Sequence, residues 1–69
     1  MWQRQTIGET AGQVWQFLQS KGKSRLSAVE RGVQAPKALV DMAVGWLACE
    51  RKLELSQEGR TVQVWLTEG

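Results

Sequence analysis

Residues 27–37 read Ser27-Ala28-Val29-Glu30-Arg31-Gly32-Val33-Gln34-Ala35-Pro36-Lys37, and the fold turns on how this stretch divides. Ser27-Ala28-Val29-Glu30 has the S/T-x-x-E form of a capping box, in which the hydroxyl accepts from the third helical N–H and the carboxylate reaches back. It predicts a helix opening at about Ala28. That helix is short, because Gly32 and Gln34-Ala35 interrupt it, and Pro36, with no N–H to lose, suits the first position of a new helix. A short helix, a tight turn and a longer helix form the helix-turn-helix order.

Working outward, the longer helix is expected from Pro36 to about Arg51, with Leu39, Val40, Met42, Ala43, Val44, Trp46 and Leu47 as its apolar residues. Upstream, Thr6-Ile7-Gly8-Glu9 is another capping box. Ile7, Ala11, Val14, Trp15 and Leu18 then hold helical spacing until Lys21-Gly22 supplies a cationic last turn and a glycine cap. This predicts a first helix over about Ile7 to Lys21, with Trp15 on its core-facing arc. Ser24-Arg25-Leu26 is long enough only for a brief strand. Downstream, Leu53 and Leu55 alternate with Glu54 and Ser56. The chain turns at Gln57-Glu58-Gly59-Arg60, and Val62, Val64 and Leu66 alternate with Gln63, Trp65 and Thr67. That is a hairpin with one buried face, which puts Trp65 on the other.

The order α-β-α-α-β-β, three helices with a small antiparallel sheet, is an α+β winged helix-turn-helix in which the hairpin is the wing. With 69 residues there is room for one domain, 1–69, and one core. Hydrophobic residues at 42% and charged residues at 23% fit a packed globular chain rather than a disordered one. The single cysteine, Cys49, cannot form an internal disulfide, and without histidine the common zinc-ligand sets cannot be assembled, so no metal and no cofactor are expected. No apolar run approaches the ~20 residues of a membrane span, which makes a cytoplasmic location the expectation.

Two segments carry a family resemblance: Ile7-Gly8-Glu9-Thr10-Ala11-Gly12, and the run from Asp41 to Leu53 that reads DMAVGWLACERKL. They resemble a small prokaryotic winged helix-turn-helix family catalogued as a domain of unknown function, and the likeness extends over Ile7 to Leu66. The resemblance implies the fold and a DNA-binding-like character, with no catalytic residue and no named ligand.

Catalysis finds little support in the residues. Histidine is absent, Cys49 has no predicted base and is expected as a partly buried helix residue, and no phosphate loop of the G-x-x-x-x-G-K-[ST] kind occurs. For DNA, the third helix would enter the major groove. With Ala43 set at the core centre, its outward arc holds Lys37, Ala38, Asp41, Gly45, Ala48, Cys49 and Lys52. That arc lacks the Arg, Asn and Gln that read guanine and adenine, and Asp41 would repel phosphate. Of the basic residues, Arg31, Lys37, Lys52 and Arg60 are the candidate phosphate contacts, and the alternative is scattered surface charge from a net of +2. A protein-interaction role, including a homodimer, is the other class. The apolar arc of the third helix is wider than one core needs, which points to Met42 and Val44 at its margins, together with Trp65 on the outer sheet face. Trp65 and Trp2 packing on each other is the plainer alternative.

Overall fold

The structure, a computed structural model, describes residues 3–67. Its elements run α1 (Arg4–Lys21), β1 (Ser24–Arg25), α2 (Leu26–Gly32), α3 (Lys37–Cys49), β2 (Leu53–Glu58) and β3 (Thr61–Leu66). The expected order is found, and the sheet is antiparallel with order β1-β3-β2. β3 is the middle strand, pairing Ser24 with Val64 on one side and Leu55 with Val64 on the other.

Both helix starts differ from the capping-box reading. α1 begins at Arg4 with Gln3 as its N-cap, so Thr6 lies inside the helix and its carbonyl accepts from the Thr10 hydroxyl at 2.9 Å. Arg4-Gln5-Thr6 contains nothing that breaks a helix, and the chain takes the extra turn. α2 begins at Leu26, directly after the strand residue Arg25, which places Ser27 inside the helix as well. Neither helix has a side-chain cap.

The C-terminal ends are better determined. Gly22, at φ 76°, closes α1 and donates to the Leu18 carbonyl at 2.7 Å. α3 ends at Cys49, short of the expected Arg51, in a Schellman arrangement. There Lys52 N–H donates to the Leu47 carbonyl at 2.9 Å, Arg51 N–H donates to the Ala48 carbonyl at 3.0 Å, and Arg51 takes the left-handed conformation at φ 61°. The wing turns through Gly59-Arg60 alone. Gly59 has φ 61° and Arg60 does not share the positive value, the type II′ pattern that suits a two-residue hairpin.

The core gathers Ala11, Val14 and Leu18 from α1, Val29 from α2, Val33 from the turn, Val40, Ala43, Val44 and Leu47 from α3, and Leu53 and Val64 from the sheet. Ala43 is fully buried, so α3 has the phase expected of it. Trp15 does not join the core: it is 37% exposed. The buried residues of α1 are Thr10, Ala11, Val14 and Leu18. At about 100° per residue, Trp15 and Phe17 flank that stripe almost symmetrically. α2 covers the Phe17 side so tightly that a Cβ at Gly32 would collide with the Phe17 ring, whereas Trp15 borders open space between α1 and α3. Two further expectations are corrected. Leu55, on the outer strand β2, is 48% exposed although it shares a face with the buried Leu53, and Cys49 is exposed rather than partly buried.

Candidate nucleic-acid interface

The turn between α2 and α3 is held by its own backbone. Val33 N–H donates to the Val29 carbonyl at 3.0 Å, Ala35 N–H donates to the Val33 carbonyl at 2.9 Å, and Val33 is anchored in the core. This fixes α2 against the first turns of α3, and the wing hairpin returns beside them. Where the three meet lies a concavity of about 290 Å³, lined among others by Arg25 at the end of β1, Ser27 and Glu30 on α2, Lys37 and Asp41 on α3, and Arg60 at the wing tip.

Glu30 and Asp41 come from different helices and meet inside this concavity. The hydrogen bond between their side chains raises the Glu30 pKa above its ordinary 4.5, burial and the Asp41 charge push it the same way, and Lys37 opposes. Arg25, Lys37 and Arg60 make no ion pair; among the described residues the only one is Lys52–Glu50 at 3.8 Å. Three cations against two carboxylates leave the concavity at +1, or +2 when the acid pair holds a proton.

Of the residues expected to contact phosphate, the structure brings Lys37 and Arg60 together. Arg25 completes the group. It was visible in the sequence as a basic residue, but only the β1–α2 junction places it here. Arg31 is exposed on the last turn of α2, outside the concavity. Lys52 lies beyond the far end of α3, about 20 Å along the helix axis from Lys37 at 1.5 Å per residue. It belongs with Glu50 rather than with this group.

The residues expected at a protein interface are dispersed too. Met42 is 49% exposed, as an interface residue must be. Val44 is not: at 4% exposure it is a core residue, because the apolar arc of α3 is filled on that side by the rest of the domain. Trp65 is half-buried on the outer sheet face, opposite Glu54, with Lys23 Nζ 4.8 Å from the ring centroid. Trp2, its other expected neighbour, lies outside the described residues. No group of three or more acidic or cysteine side chains able to hold a metal ion occurs among the described residues. No helix there is long and apolar enough to cross a membrane.

Three helices in this order, with a hairpin wing packed beside the third, define a winged helix-turn-helix domain. The profile of the winged helix-turn-helix family DUF2582 matches residues 1–66, and the chain belongs to that family. No curated protein is similar enough in sequence to count as a relative. Among solved structures, BpsR of Bordetella bronchiseptica, a protein whose DNA binding is regulated by 6-hydroxynicotinic acid, superposes with a TM-score of 0.79 at 24% identity, over 84% of this chain and 46% of that one. The chain thus spans just under half the length of BpsR. The Zalpha domain of Carassius auratus PKZ, solved in complex with Z-DNA, gives 0.76 at 20% identity over 88% and 97% of the two chains. AF1382 of Archaeoglobus fulgidus gives 0.69 at 17% identity over 96% and 72%. At these identities the likeness is one of fold.

Proposed function

We propose that this domain binds double-stranded DNA through phosphate contacts that depend little on base sequence. One observation carries the reading: Arg25, Lys37 and Arg60, from three different parts of the fold, surround one concavity on the helix-turn-helix face without ion-pair partners among the described residues. Arg31, exposed nearby on α2, adds charge at the margin. Base readout is poor because, beyond Lys37 at its first position, the outward side of α3 offers Ala38, Asp41, Gly45 and Cys49, none of which makes a bidentate contact to guanine or adenine. Two proteins of this fold, BpsR and Zalpha, act on DNA, which supports the reading by analogy only.

Fluorescence anisotropy with several unrelated duplexes at two salt concentrations tests it. The expected result is similar affinity for all duplexes and a steep loss with salt. A preference above about a hundredfold for one duplex would contradict it, since each mismatched base contact is worth about 1–3 kcal/mol.

A second reading, self-association, is favoured by the exposed Met42, which lines an apolar hollow with Ile7, Trp46 and Cys49. Light scattering over a range of concentrations separates the two: a mass of 7.8 kDa throughout leaves DNA binding alone.

A further inference from the structure

On the Trp15 side of α1, away from α2, lies a larger hollow, about 890 Å³, between α1 and the C-terminal half of α3. Its size is in the range that admits a small molecule. Trp15 of α1 and Trp46 of α3 both line it, and Trp15 is 37% exposed there instead of packed in the core. Gly8 and Gly12 also line it from within α1. Glycine weakens a helix relative to alanine, yet a Cβ at either position would meet nothing within 4 Å, so the packing of this domain does not require them. They leave the helix backbone open to close approach by something from outside.

One end of the hollow is charged. Glu50, Arg51 and Lys52 line it; Glu50 lies 3.8 Å from Lys52, and among the described residues the Arg51 guanidinium has no carboxylate partner. Arg51 also has the only positive φ of any non-glycine residue among those described, 61°. That left-handed position is the one a Schellman helix end requires, and it brings Arg51 and Lys52 to the rim of the hollow. A planar guanidinium is the group best matched to a carboxylate, and indole faces are matched to a flat ring.

We propose that this hollow is a binding site for a small, flat aromatic carboxylate, its ring lying against Trp15 and Trp46 over Gly8 and Gly12 and its carboxylate held by Arg51. The site is separate from the concavity on the helix-turn-helix face, with which it shares no residue, and stands or falls independently of DNA binding.

Nitrogen-15 NMR titration of the whole chain with 2-naphthoate, and with uncharged 2-naphthylmethanol for comparison, tests the assignment through the indole N–H signals. The Trp15 and Trp46 signals should shift saturably with a Kd below about 1 mM, while Trp65, on the outer sheet face beneath Lys23, stays in place. Arg51→Gln should weaken 2-naphthoate about tenfold or more and leave 2-naphthylmethanol unchanged, because only the carboxylate loses its partner. Gly12→Leu, which fills the hollow, should abolish binding of both; should that variant not fold, Arg51→Gln still decides. The proposal is overturned by the absence of saturable shifts, by an equal effect of Arg51→Gln on both probes, or by translational diffusion showing a dimer whose dissociation on dilution shifts the Trp15 and Trp46 signals.

Discussion

Glu30 and Asp41 are the residues at which charge and fold are most directly linked, because the packing of α2 beside α3 brings their two carboxyl groups together. A carboxyl whose pKa is raised on folding is held more tightly as the acid in the native state. Its contribution to stability is therefore complete below the ordinary 4.5 and is lost as pH rises through the folded value. The difference in thermal midpoint between Glu30→Gln and the wild type should accordingly widen in favour of the variant as pH is raised from about 4 to about 7, since the amide keeps a donor for Asp41 without a charge. Parallel curves would mean that the contact carries no proton linkage. Arg51 poses a different residue-scale question, one of backbone. An L-residue in the left-handed region costs about 1–2 kcal/mol, while glycine there is unstrained but frees the unfolded chain. Arg51→Gly should thus stabilise by about 0.5–1 kcal/mol net, about 2–8 °C in Tm for a domain of this size. Calorimetry checks the sign.

At the scale of elements, a buried stripe is legible in sequence but its flanks are not. Ala11, Val14 and Leu18 follow from spacing, as does the α3 phase centred on Ala43, and both agree with the structure. Trp15 and Phe17 border the α1 stripe on opposite sides, and which of them is covered depends on where α2 docks, a tertiary fact that no local pattern contains. The same limit explains Val44 and Leu55. The width of an apolar arc does not reveal how many neighbours surround a helix, and alternation along a strand does not reveal that β2 lies at the sheet edge. Helix starts misled for another reason: S/T-x-x-E marks a start only where the preceding residues cannot themselves be helical, and Arg4-Gln5 and Leu26 can. These differences bear on stability. Leu47, 4% exposed within the core, should cost about 2–5 kcal/mol when replaced by Ala. Trp15→Ala, on the flank away from α2, should cost clearly less. Denaturant unfolding of the two variants gives the comparison, and equal losses would place Trp15 back among the core residues.

For the molecule as a whole, the basic residues were plain in the sequence but their grouping was not. Helical spacing puts Lys37 and Lys52 on one outward arc, yet α3 ends at Cys49, so the two lie at opposite ends of the helix and Lys52 has Glu50 for company. Arg25 and Arg60 are far apart in the chain and come together because β1 and the wing share the strand β3. If phosphate contact is made on this face, the number of cations there sets the salt dependence, since log K falls with log salt at about 0.9 per phosphate neutralised. Three contacts give a slope near −3. Removing Arg25, Lys37 or Arg60 singly, as the glutamine variant, should make the slope shallower by about 1 each and weaken all duplexes alike. Lys52→Gln should leave both slope and affinity unchanged, because its ammonium lies beyond the far end of α3 and beside Glu50. Arg31→Gln should fall between, a change in affinity smaller than that of the three, from an exposed charge beside the face rather than within it. Anisotropy titrations of the five variants over a range of salt concentrations supply the slopes. A Lys52 variant that lost as much slope as Lys37 would move the DNA to the C-terminal end of α3, and the concavity formed by Arg25, Lys37 and Arg60 would no longer be where the duplex lies.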